Sequence, residues 1–370
     1  MKNLFTFIVA LFMATSVYAQ EAQTYKSFAA TTVLITNQAN VQSAIDGGWA
    51  SAGTQISPVT GKAGSVNPST DKKEYYAGDG IDLKAGYATK TLTLYVKNIS
   101  YLKAYAVTTS NKDTRVIKVT ATPTTEGDPV VASSSSAPRS SAVVSLILDP
   151  TKAYKVVFDG YDKDESNSAD VALQGVRFIP SSSSSSSVTI GDAGFATHAS
   201  AFAVDYSNRG DGLEAYSVSY NSSSSNELTY TKIDGVVEAG KAVILKGKGN
   251  YILEASSETA TVTETGLKAS DGSIMGAENI YCLANKNNVV GFYQVSSTVT
   301  IPANKAYLEI NAANSAKYYS IGIGGNTTGI QAIQQNSVKA DGIMYSLFGQ
   351  RVGKDYKGIV ICNGKKMIKK

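Results

Sequence analysis

Thr91-Leu-Thr-Leu-Tyr-Val-Lys97 alternates apolar and polar residues with a period of two, the pattern of a strand that buries one face and wets the other. The same style recurs in Leu102-Lys-Ala-Tyr-Ala-Val107, Arg115-Val-Ile-Lys-Val-Thr120, Val143-Val-Ser-Leu-Ile-Leu148, Tyr154-Lys-Val-Val-Phe158 and Val171-Ala-Leu-Gln-Gly-Val-Arg-Phe178. Clusters of Gly, Asn, Ser and Pro separate these runs and no helical pattern intervenes. An antiparallel sandwich or jelly roll is therefore expected over residues 20–180.

Downstream of it, Ser181 to Ser187 is an unbroken serine run, expected to be a flexible linker. Strand-like runs resume in Ala215-Tyr-Ser-Val-Ser-Tyr220, Leu228-Thr-Tyr-Thr-Lys-Ile233, Ala242-Val-Ile-Leu-Lys246, Gly291-Phe-Tyr-Gln-Val295 and Lys305-Ala-Tyr-Leu-Glu-Ile310, so residues 188–328 read as a second sandwich. Residues 329–370 close the chain as a short hairpin tail, with Asn363-Gly364 as a two-residue turn. The expected class is all-β: two antiparallel β-sandwich, jelly-roll-like domains and a terminal β-hairpin. Composition agrees, with 22 Tyr for half-buried pleated surfaces and 32 Gly for turns.

Lys2, the apolar run Leu4 to Met13 and Val17-Tyr-Ala19 form a secretory signal peptide over residues 1–19. Its apolar run of about ten residues is too short to span a bilayer, which needs roughly twenty, so no transmembrane segment is expected in the mature chain. The net charge of +4 is spread thinly, without a dense arginine and aromatic face, which argues against nucleic acid as a partner. Cys282 and Cys362 fall in different modules and are expected to remain unpaired.

No catalytic constellation emerges. His198 is the sole histidine, too few for the common zinc sites, and reads as a turn or surface residue. No G-x-S-x-G elbow offers a nucleophile. Paired carboxylates for glycoside hydrolysis leave no spacing signature; Asp79, Asp82, Asp159, Asp162, Asp164 and Glu165 are available, though mostly in turns where Asp serves the backbone.

Binding is the better expectation. A sugar packs its C–H face on an aromatic ring while polar side chains take its hydroxyls. Trp49, in the Gly-rich turn Asp46-Gly-Gly-Trp49, together with Tyr75, Tyr76 and Tyr161, are the candidate platform, with Trp49 equally readable as a core plug. Asp162, Asp164 and Ser166 repeat the alternate-residue spacing of a calcium loop and are the candidate ligands of a structural Ca²⁺. This is not an EF-hand, because Asn167 and Leu173 stand where Gly and a bidentate Glu are needed.

Gly194-Phe-Ala-Thr197, Gly212-Leu-Glu-Ala-Tyr216 and Val237 to Leu245 followed by Gly249-Asn-Tyr251 resemble a β-sandwich module that recurs near the C-termini of secreted Bacteroidetes proteins. That resemblance implies a spacer. Tyr345-Ser-Leu-Phe-Gly-Gln-Arg-Val352, Gly358-Ile-Val-Ile-Cys362 and Asn363-Gly-Lys-Lys366 look like the C-terminal sorting signal of the type IX secretion pathway, implying its secretion machinery as a partner and an extracellular or cell-surface location. The first module is similar in style to the galactose-binding-like carbohydrate-binding modules attached to polysaccharide-degrading enzymes, pectate lyases included. These resemblances imply a secreted, non-catalytic accessory of polysaccharide utilisation, with pectin among its candidate glycans. Two alternatives stay open: a structural or adhesive surface protein, and a polysaccharide lyase or hydrolase or the remnant of one.

Overall fold

The computed structural model describes residues 23–53, 56–59, 66–74, 78–108, 110–221, 227–311 and 316–323, with 344–346, 351–353, 358–362 and 365–369. The expected signal peptide, Tyr75 and Tyr76 lie outside the described residues. The chain is all-β and sandwich-like, with a single helix, Gln38–Asp46, among the described residues. No helix there is long and apolar enough to cross a membrane.

Period-two alternation builds the first sandwich. Its outer sheet runs Lys26–Ser27, Leu92–Lys97, Ala153–Asp162, Arg115–Pro123, Val130–Ser136, with Ala50–Ala52 added on Leu92–Lys97. Leu92, Leu94, Val96, Val119, Val156 and Phe158 point inward and are sealed from solvent, while Thr93, Tyr95, Val157 and Lys118 alternate outward. Each such buried side chain contributes about 1.5–3 kcal/mol of transfer free energy.

The facing sheet runs Ser141–Ile147, Tyr101–Val107, Val171–Ile179, Gly78–Leu83, Ile56–Val59, with Thr32–Ile35 added on Val171–Ile179. Here alternation is lost: Tyr101–Val107 and Val171–Ile179 are buried at nearly every position. The reason is that both faces are covered. The second sandwich and the segment 66–74 lie on the outer one, and Gly175 admits that segment, since a Cβ there would approach the Pro68 Cβ to 2.8 Å.

Register places Ser141, Val107, Ala172 and Asp82 side by side across that sheet. Consequently four connections between the two sheets gather at one end of the first sandwich: Leu83 to Leu92, Val107 to Arg115, Ser136 to Ser141 and Asp162 to Val171. The chain leaves for the second sandwich from the opposite end, at Ile179 and Pro180.

Helix Gln38–Asp46 starts where the Asn37 Oδ1 accepts a hydrogen bond from the Asn40 N–H (2.9 Å) and buries Val41 and Ala44. It ends in Gly47-Gly48, with Gly48 at φ 71°, a left-handed turn that glycine tolerates without strain. That turn delivers Trp49 onto the core.

The serine run is not wholly a linker. Ser185–Ile190 is a strand paired with Gly249–Glu254, so only its first residues connect the sandwiches. Backbone pairing is indifferent to the serine side chains, and buried Val188 and Ile190 anchor the register. In the second sandwich this pair covers one face of a four-stranded sheet, Phe195–Ala199, Ala242–Lys246, Glu214–Asn221, Glu227–Ile233. A five-stranded sheet, Lys268–Ala269, Ala306–Glu309, Ile280–Lys286, Val289–Gln294, Tyr318–Ser320, covers the other. Ala215, Val243 and Leu245 fill the first core, and Val218, Ile244, Tyr281, Phe292 and Leu308 the second.

An ionic cluster joins the sandwiches. Lys103, with no exposed surface, pairs with Asp71 and lies 3.8 Å from Asp211 of the second sandwich, and the Tyr105 hydroxyl donates to Asp71 (3.0 Å). Arg209 grips Asp211 with two nitrogens. Lys72 meets Asp205 at 2.6 Å, and the Gly210 N–H donates to the Asp71 carbonyl (2.9 Å). Burial works against charge on Asp211, yet Arg209 and Lys103 outweigh it and hold that carboxyl below the usual range.

In the tail, Arg351–Val352, Met344–Ser346, Gly358–Cys362 and Lys365–Lys369 form a four-stranded antiparallel sheet, larger than the hairpin expected. The apolar Gly358–Cys362 strand has two edges of backbone donors and acceptors to satisfy, and it pairs on both.

Candidate functional site

The residues gathered at the loop end of the first sandwich make the candidate site. In the connection from Leu83 to Leu92, the Tyr87 N–H donates to the Lys84 carbonyl (3.1 Å) and the Lys90 N–H to the Tyr87 carbonyl (2.9 Å). Gly86 takes φ 77° within this turn. The result lifts Tyr87 into solvent, 50% exposed, with the Lys84 Nζ 4.3 Å from its ring centroid. Asp170 from the neighbouring connection holds both lysines, 2.5 Å from the Lys90 Nζ and 3.8 Å from that of Lys84. Its hydrogen bond raises the Lys90 ammonium above the ordinary lysine value.

Tyr161 stands at the same end. The carbonyl of Gly160, just before it, accepts from the Ala85 N–H (3.3 Å) and the Ala169 N–H (3.1 Å), tying both loops to the strand. The Lys118 Nζ lies 5.6 Å from the Tyr161 ring and 2.9 Å from Glu165. Hydrogen bonds from Lys118 and Ser133 hold the Glu165 carboxyl below its usual range, whereas burial pushes that of Asp159 up against the pull of Lys118. Two tyrosines, each with an ammonium over its ring and a carboxylate behind that ammonium, therefore share one end of the sandwich. Such a surface offers apolar ring faces beside paired donors and acceptors.

The other sequence-derived candidates are not brought together with Tyr161. Trp49 sits towards the opposite end, half-buried on the core, edge-on to Phe28 (centroids 6.1 Å apart) and Phe178 (6.3 Å). Of its two readings, this geometry matches the plug. Asp162, Asp164 and Ser166 do not converge as calcium ligands. The Asp162 carboxylate accepts from the Ser166 N–H (2.9 Å), the Ser166 hydroxyl (3.1 Å) and the Asn167 side-chain amide (2.9 Å), which lower its pKa to about 2. Asp164 points to solvent beside Lys163. Among the described residues no group of three His, Cys, Asp or Glu side chains is close enough to hold a metal.

His198 is neither a turn nor a surface residue. It lies in strand Phe195–Ala199 and is 9% exposed, with the Ser186 hydroxyl 3.5 Å from its Nε2. Burial, aided by Lys305, lowers it to about 4, so the imidazole is neutral. Cys282 is a free thiol that burial pushes up to about 11; the side chain of Cys362 lies outside the described residues.

Tyr87 escapes the sequence reading. Its one signal is Lys84-Ala-Gly-Tyr87, a glycine turn that presents an aromatic residue.

Fold and site together define an all-β double-sandwich protein with an aromatic and ionic loop end. Compared with family models, curated proteins and solved structures, the chain matches none.

Proposed function

We propose that this is a secreted, non-catalytic carbohydrate-binding accessory protein of polysaccharide utilisation, exported with the help of its C-terminal tail by a type IX secretion machinery. The observation that supports binding is the half-exposed Tyr87, with Lys84, Lys90 and Asp170 beside it, sharing the loop end with Tyr161 and its Lys118–Glu165 pair. A glycan laid on these rings buries its C–H face and finds hydroxyl partners within reach. The loops also lie at the end opposite the exit to the second sandwich, which leaves them open to a polymer.

Affinity gel electrophoresis of the mature chain against soluble plant and host polysaccharides, pectin included, with Ca²⁺ and with chelator, tests the proposal. Retardation by a polymer, weakened on Tyr87→Ala with Tyr161→Ala, is the expected result. Migration unchanged by every polymer would sink it and favour a structural or adhesive surface protein. That second reading draws on the buried ionic joint between the sandwiches, which suits a rigid strut.

A further inference from the structure

The second sandwich resembles a spacer in sequence, yet the outer face of its five-stranded sheet carries an aromatic row. Lys268, Tyr307, Cys282, Tyr293 and Tyr318 are in register across the five strands. Tyr307 is covered, packed with Ile280 and Ile301. Tyr293 and Tyr318 are only half-buried, their ring centroids 4.6 Å apart and their planes inclined by 33°.

Two features lay these rings down on the sheet. At Gly291 a Cβ would come within 2.3 Å of the Tyr318 Cε2, so that ring lies across the neighbouring strand in space a side chain would fill. The Tyr293 hydroxyl donates to the Val289 carbonyl (3.0 Å), drawing the second ring back along its own strand. Lys286 sets its Nζ 4.5 Å from the Tyr293 centroid, and Val289 beside it is 44% exposed.

We propose that this face is a second glycan contact, which makes the protein bivalent. The ligand class rests on the reading given above for the first sandwich. The Tyr293 and Tyr318 rings overlap at 4.6 Å, and this tilted pair offers its outer ring surface to the C–H side of a pyranose. Lysine over tyrosine is also the arrangement found at Tyr87 (4.3 Å) and Tyr161 (5.6 Å), so the same chemistry recurs on the second module. A folded protein partner fits less well: two tyrosines offer at most about 500 Å², against about 800 Å² per side in a stable protein interface.

The test is affinity electrophoresis of the full mature chain in four forms against whichever polysaccharide retards the wild type: wild type, Tyr87→Ala with Tyr161→Ala, Tyr293→Ala with Tyr318→Ala, and all four substitutions. Gly291→Ala, whose Cβ would press on the Tyr318 ring and on the Tyr319 carbonyl oxygen 2.4 Å away, serves as an additional variant that retains both tyrosines, and thermal unfolding shows that each form is folded. Expected are residual retardation in the first double variant, at least a tenfold loss of apparent affinity in the second and in Gly291→Ala, and none left in the quadruple variant. Wild-type affinity in the folded Tyr293 and Tyr318 variant overturns the second contact and leaves the first standing. A wild type retarded by no polymer removes both.

Discussion

Arg177 of the first sandwich donates through Nη2 to the Glu254 carboxylate of the second, across 3.0 Å. Ser185 pairs with that same Glu254 in the strand formed by the end of the serine run. The contact borders a cleft of ≈ 110 Å³ whose walls include Lys72, Asp205 and Arg209, so the joint between the modules is built from charge on both sides. Burial opposes the charge on Arg177, and Glu254, Tyr105 and Asp71 together more than offset it. The joint should therefore behave as part of the fold.

Removing one partner from it leaves the others buried with less than their full compensation. Asp71→Ala leaves Lys103 only the more distant Asp211, at 3.8 Å, and takes away the acceptor of the Tyr105 hydroxyl, so a loss of about 3–5 kcal/mol is expected, read as a lower urea midpoint of the full chain. A change below about 1 kcal/mol would show that water enters the joint freely.

His198 makes stability pH-dependent with a definite sign. Its folded value of about 4 lies below the ordinary 6.5, so the unfolded chain takes up the proton first. Stability is unaffected by this group above 6.5, falls as the pH drops from 6.5 to 4, and loses about 3 kcal/mol at most. His198→Phe should flatten that window in denaturant titrations at several pH values. An unchanged slope would assign it to other groups.

Gly160 couples the fold to the loop end. A Cβ there would lie 2.4 Å from the Ala169 carbonyl oxygen and 2.7 Å from that of Leu83, the two chain segments that begin and end the ligand loops. Gly160→Ala should cost about 1–3 kcal/mol and, in the protein that still folds, weaken polysaccharide retardation. Full binding with full stability would mean the loops do not depend on this contact.

Tyr87→Ala removes an exposed ring that makes no core contact. The melting temperature should stay within about 2 °C of wild type, while affinity for the retarding polymer drops severalfold. Calorimetry beside gel retardation separates the two effects.

What the sequence determined by itself is the local pattern. Alternation in Thr91–Lys97 and Tyr154–Phe158 is sufficient to select the inward residues of the outer sheet, because one face of each strand meets solvent and the other does not. Gly194, Gly212 and Gly249, all at positive φ, mark turns that glycine alone enters freely. Only the tertiary structure decided which surfaces are covered. Lys103 alternates like any outward lysine, and it is buried because the second sandwich brings Asp211 to it over a hundred residues of chain. The same holds for His198, buried beside the strand that ends the serine run, for Trp49, turned onto Phe178, and for Tyr87 and Tyr161, placed at one end of the sandwich where two loops share one carbonyl, that of Gly160. Periodicity reports the burial of a strand's own faces, whereas contacts between distant segments depend on how the sheets are stacked, and no local spacing records that.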